Sequence, residues 1–171
     1  MALKLIWQKI AVKLHALVLV MSVILVCTSP WVLIGRQLSA NAGFWSHFHV
    51  YGGLITACLA LLFAIKVCLK GQWRQFFPWL LLDFNQVNTD LVGILTGKIP
   101  VAGGKGLFSV IEGIGVILLL LVAVSGVVWY LVDPSDALVW RSYHQVLGQC
   151  FIGFMIIHLL LALLHIKDFF D

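Results

Sequence analysis

Four apolar blocks, each long enough to cross a bilayer, constrain this chain more than any other feature in it. They cover about 14–34, 47–66, 107–132 and 143–166. A hydrocarbon core of about 30 Å takes roughly 20 helical residues, and in lipid each such block closes its own backbone hydrogen bonds as a helix. The predicted fold is an all-α membrane protein, a four-transmembrane-helix bundle forming one domain over residues 1–171. Composition agrees. Hydrophobic residues make up 62% of the chain and charged residues 11%, and the mean hydropathy is +1.07, too apolar for a water-facing surface. The first block reads as a span and not as a cleavable signal, because its apolar run is too long and no small-residue cleavage site precedes a soluble domain.

The net charge of +4 is sorted by side, which argues against a nucleic-acid partner. Lys4, Lys9 and Lys13 precede the first span, Lys66, Lys70, Arg74, Lys98 and Lys105 lie between the second and third, and Lys167 follows the fourth. The opposite side holds only Arg36 and Arg141. The positive-inside rule then places both termini in the cytoplasm. Cys27, Cys58, Cys68 and Cys150 are scattered singly, with no C-x-x-C or C-x-x-C-H. Neither a zinc ribbon nor covalently attached haem is indicated, and small apolar core residues account for them.

Two connections are short. Residues 35–46 and 133–142 read as tight loops on the outer side, the second with the turn sequence Asp133-Pro134-Ser135-Asp136. The cytoplasmic connection, about 67–106, is longer. Its stretch from Trp73 to Asp83 mixes aromatics, bases and Pro78, which suits the headgroup interface and not the bilayer core. Gly97, Pro100, Gly103, Gly104 and Gly106 read as a flexible lead into the third span.

Ionisable groups inside a membrane are costly, so each one points to function unless a bland account serves. His144 and His158 are fourteen residues apart on the fourth span, so they project within about 40° of one face, some 21 Å apart along the axis. One helix can thus serve two stacked sites. Gly148, one turn after His144, leaves room there for something flat. The second span runs the same way, with His47 and His49 at its mouth, level with His144. They differ by about 200°, so one faces inward. His49 is preferred, because Gly52 and Gly53 follow it at i+3 and i+4. His15 enters on the first span at the depth of His158, and Ser22 and Ser29 continue its stripe at sevens.

Two pairs result: His49 with His144 on the outer side, and His15 with His158 on the inner side. Two neutral imidazoles on facing helices of a bundle suit the axial positions of a haem iron. Zinc would call for more converging ligands and for carboxylates behind them. Glu112 is the one acidic residue within reach of a span's interior, and it, Asp83 and Asp90 are candidate proton relays, although Asp83 and Asp90 read better as solvated loop residues. Histidines at helix ends are often interfacial, which is the simpler account of His47 and serves equally for His165. His165 lies seven residues past His158, about 20° off its face and about 10 Å further along, where it can meet a haem propionate or a quinone.

With these residues the chain resembles the cytochrome b subunits that anchor respiratory formate dehydrogenases, with relatives in nickel–iron hydrogenases and thiosulfate reductases. Lys13-Leu14-His15 and the apolar run to Gly35 look like that family's basic opening before the first-span histidine, with lysine where arginine is frequent. His49-Val50-Tyr51-Gly52-Gly53 is similar to its second-helix entry, and Pro100-Val101-Ala102-Gly103-Gly104-Lys105 to its Asn-x-Gly-Gln-Lys element. The spacing of His144 and His158 is the most specific match. The resemblance implies two haem b groups, with His49 and His144 as ligands of the outer one and His15 and His158 of the inner one. It also implies menaquinone or ubiquinone as acceptor. The redox partner subunit would be an iron–sulfur, multihaem or molybdenum or nickel–iron catalytic protein, and the location a bacterial or archaeal inner membrane. Oligomerisation is compatible with it. Val101 and Gly104 replace the motif's asparagine and glutamine, leaving Lys105, His165 and Glu112 as polar contacts for a quinone or a propionate.

The function expected is therefore electron transfer between an outer redox partner and a quinone or other carrier inside. A self-contained diheme quinone oxidoreductase would use the same pairs and differ in needing no tightly bound partner. A transporter fits less well, since transporters show broken helices, midplane sites and repeats.

Overall fold

The structure, a computed structural model, describes residues 2–69, 73–98, 100 and 104–170, with side chains for 13–69, 73–98, 100 and 104–163. The side chains of Lys4, Lys9, His165 and Lys167, and residues Lys70, Val101, Ala102 and Gly103 altogether, lie outside the described residues.

Among the described residues six α-helices follow one another: α1 (Ala2–Thr28), α2 (Phe44–Cys68), α3 (Trp73–Phe76), α4 (Asn85–Leu95), α5 (Leu107–Leu131) and α6 (Ala137–Phe170). Single 3-10 turns, Ser29–Trp31 and Pro78–Leu80, follow α1 and α3. Four segments are long and apolar enough to span a membrane: Lys13–Trp31, Phe44–Cys68, Leu107–Leu131 and Ala137–Leu163. The protein is an all-α, multi-pass membrane bundle of four such helices, as the apolar blocks predict. Its contacts cluster into two compact units, residues 1–66 with 119–150, and residues 67–118 with 151–171.

In the first unit α1 buries Leu14, Val18, Ser22 and Thr28. That face differs from the expected His15–Ser22–Ser29 stripe: Ser22 is buried, but His15 and Ser29 are exposed. Leu14, Val18 and Ser22 recur every four positions and Thr28 falls on the same side, and His15 lies roughly 80° from the centre of their face. Thr56, Ala60 and Ala64 form the matching buried stripe of α2. Small residues of this kind let membrane helices approach closely, where packing and not water exclusion holds them. Pro30, with no backbone N–H to give, falls in the 3-10 turn that ends α1. Beyond it the Leu33 N–H donates to the Ser46 hydroxyl at 3.2 Å, tying the connection to the first turn of α2.

The connection between α5 and α6 is shorter than the sequence suggests, since α6 starts at Ala137, whereas the one before α2 keeps its length and lies a few residues earlier, with α2 starting at Phe44. Asp136 and Ala137 both donate to the Asp133 carbonyl, at 3.0 and 3.2 Å. The Asp-Pro-Ser-Asp turn thus runs straight into a helix, a role that short polar residues serve well. Trp140, Arg141 and Ser142, read from the sequence as part of the loop, are helical. Trp31, Trp45, Phe44 and Phe48 pack ring against ring on this unit, as do Trp140 and Tyr143, in the manner of an interfacial aromatic belt.

In the second unit the connection expected to be irregular holds a helix, α4, closed by Gly97 at φ 78°, a left-handed position that glycine fills without strain. Asp90 of α4 is not a solvated loop residue. It is 7% exposed, accepts from the Leu107 N–H at 2.8 Å, and so caps α5. Gln86 holds its other oxygen at 2.8 Å. Gly106 belongs to this clasp, for a side chain there would run into the Asp90 carboxylate. Gln75 donates to the buried Ser109 hydroxyl at 3.0 Å, and Gly113 leaves room for the Phe76 backbone. Leu91, Val92, Ile94 and Leu95 of α4 are exposed, as in a helix lying along the membrane surface.

Candidate functional site

His49 and His144 meet within the first unit, their ring centroids 6.3 Å apart and their planes crossing at 82°. Both rings are half-buried. Glycines clear the space beside them. A side chain at Gly53 would meet nothing within 4 Å, and one at Gly148 only the Val122 side chain at 4.0 Å. Gly126 of α5 is tighter, since a Cβ there would come within 3.0 Å of His144 Cε1. His47, by contrast, turns back on its own helix. Its Nδ1 lies 3.3 Å from the Gly43 carbonyl, and its ring stacks on Tyr51 at 6.2 Å.

The hydrogen bonds of His144 define which nitrogen is available. Its Nδ1 lies 3.0 Å from the Val122 carbonyl. A carbonyl only accepts, so Nδ1 carries the proton and Nε2 keeps its lone pair. Holding the far nitrogen by a backbone carbonyl is the usual support of a metal-binding histidine. On the other ring, His49 Nδ1 is buried without a hydrogen-bond partner.

The spacing of the pair can be tested against a metal ion held between the rings. Two nitrogen–metal bonds of about 2 Å, plus about 1 Å from each nitrogen to its ring centre, place the centroids about 6 Å apart. The observed 6.3 Å fits a bridging metal, and the glycines fit a flat group around it. The rings are too far apart to hydrogen-bond each other directly. Trp129 packs against His144 at 5.9 Å and donates its indole N–H to the Arg36 carbonyl at 3.1 Å. Val122, Ser125, Gly126 and Trp129 all come from α5, which carries no histidine. Ser125 and Gly126, close to Ala123, are small residues on that face, but small residues in an apolar helix do not by themselves mark it.

His15 and His158 belong to different units, and each stacks on a phenylalanine of its own unit. His15 lies over Phe63 at 5.6 Å and 15°. His158 lies over Phe154 at 5.5 Å and 28°, and a side chain at Gly115 would run into that phenylalanine. Glu112, on the second turn of α5, is exposed. Lys105 is exposed and pairs with Asp83 at 3.4 Å. Among the described residues no three His, Cys, Asp or Glu side chains converge on one point.

No curated protein and no solved structure matches the chain. The profile of one family, described as prokaryotic cytochrome b561, matches residues 6–167. That range takes in all four spans and the four histidines His15, His49, His144 and His158. The chain thus belongs to the prokaryotic cytochrome b561 family and is a multi-pass membrane cytochrome b, an electron carrier working through b-type haem.

Proposed function

We propose that the chain carries electrons through two bis-histidine b-type haems, one held by His49 and His144 and the other by His15 and His158, within a single diheme domain. The observation that supports this most directly is the 6.3 Å spacing of the His49 and His144 rings, together with the Val122 carbonyl that leaves His144 Nε2 free to coordinate.

A haem supplies the one-electron change between ferric and ferrous iron, and the chain's own residues do the rest. His144 is oriented by α5 and braced by Trp129. Gly53, Gly126 and Gly148 give close approach, and the apolar spans keep water away. The excess of basic residues before the first span, between the second and third and after the fourth supports a topology with both termini in the cytoplasm of a bacterial or archaeal cell and the protein in its inner membrane. The His49–His144 pair then lies on the outer side, where short connections let an iron–sulfur, multihaem or other catalytic redox subunit dock. His15 and His158 lie inside, where menaquinone or ubiquinone is the acceptor, and Lys105, His165 and Glu112 are its polar contacts or those of a propionate.

The test is a dithionite-reduced minus oxidised spectrum of the detergent-purified protein, with pyridine haemochrome quantification. Two haem b per chain is the result expected. One haem would remove the inner pair from the reading, and a well-folded colourless protein would overturn it.

A further inference from the structure

A buried hydroxyl stands behind the His144 ring. Ser125 is 2% exposed, so its polar atom must find partners inside the protein. It donates to the Val122 carbonyl at 2.9 Å, and its oxygen lies 3.1 Å from His144 Nδ1. The same carbonyl lies 3.0 Å from Nδ1. These three contacts close a triangle whose proton arrangement follows from chemistry. The carbonyl accepts from both sides. The serine proton goes to the carbonyl, and the Nδ1 proton is shared between the carbonyl and the serine oxygen.

From this we infer that Ser125 is a positioning residue that sets the redox balance of the centre held by His144. The inference rests on the haem reading above. A serine oxygen accepting from Nδ1–H draws that proton away from the ring and strengthens electron donation at Nε2. Stronger donation favours ferric over ferrous iron. The hydroxyl also helps to fix the ring plane. Without it, Nδ1–H keeps the Val122 carbonyl alone, so coordination survives while its strength falls.

The experiment is a potentiometric titration of the detergent-purified haem-loaded protein, with electron paramagnetic resonance of the ferric state. Wild type, Ser125→Ala and Ser125→Thr are compared, with haem counted in each. In Ser125→Ala one haem shifts to higher potential and the other stays in place. At the wild-type midpoint its ferrous-to-ferric ratio rises about threefold, which is roughly 30 mV for a one-electron couple. The low-field ferric signal of the same haem moves as its ring rotates, and Ser125→Thr, which keeps the hydroxyl, restores both. Loss of that haem in the alanine variant alone would overturn the inference, since coordination should survive on the Val122 carbonyl. Unchanged potentials and spectra with both haems bound would overturn it, as would loss of the haem in both variants, which reports packing instead of the hydrogen bond. A wild-type protein that binds no haem fails the functional reading itself and is distinguished by the haem count.

Discussion

The Nδ1 atom of His144 on α6 sits 3.0 Å from the carbonyl of Val122 on α5, so a helix without a histidine of its own determines how that histidine is presented. The ring is held between two helices, with His49 of a third facing it.

Replacing either member of that facing pair separates it from its neighbours. His49→Ala and His144→Ala should each remove one haem and leave the other. His47→Ala should leave both, because His47 is engaged with Gly43 and Tyr51. Haem per chain, read by pyridine haemochrome, checks all three. Loss of a haem on replacing His47, with retention on replacing His49, would assign the ligand to the wrong residue of α2.

His15→Ala and His158→Ala should remove one and the same haem while the centre of His49 and His144 persists. The two variants should therefore show the same residual spectrum and midpoint potential. Unchanged haem in both would refute the inner pairing, and different residual spectra would mean that the two histidines serve different centres.

Gly126→Ala brings a methyl group within 3.0 Å of His144 Cε1 and 3.2 Å of its Nδ1. The ring must shift by a few tenths of an ångström, away from the position in which it meets Val122. Overpacking of this kind costs about 1–3 kcal/mol, and weaker retention of one haem on dilution in detergent should report it. Haem retention equal to wild type would show that the ring has slack at this contact.

Asp90→Ala leaves the Leu107 N–H without its acceptor at a buried site. An unpaired buried donor costs about 1–3 kcal/mol, so the thermal midpoint in detergent should fall. Asp90→Asn keeps an acceptor and should fall less. Equal midpoints for wild type and Asp90→Ala would mean that water reaches the end of α5.

The sequence reveals the candidate histidines better than the groups that hold them. Four long apolar runs can only be helices in lipid, so the spans are readable within a few residues. The choice of His49 over His47 follows from helical angle and from the glycines one turn on, and the two side chains do take different partners. The 137–142 turn of α6 is hidden because an interfacial helix start looks like a polar loop. The α4 helix is hidden for a related reason. It shows three faces, with Asp90 turned to α5, leucines exposed and polar residues between, and so lacks a single apolar stripe. Val122, Ser125 and Trp129 are unreadable because a carbonyl has no sequence signature, and one serine in an apolar helix is compatible with many roles.

The link between α5 and α6 is the short turn around Pro134, and His144 comes only seven residues after Ala137, about 10 Å along the helix. Bilayers differ in thickness, and spanning helices respond by tilting. A tilt of about 5° around that turn displaces a group at this distance by only about 1 Å, and displacement grows in proportion further along the helix. Placing His144 beside the pivot makes the position of its ring tolerant of the lipid composition around it, so the proposed ligand keeps its place as the host remodels the membrane.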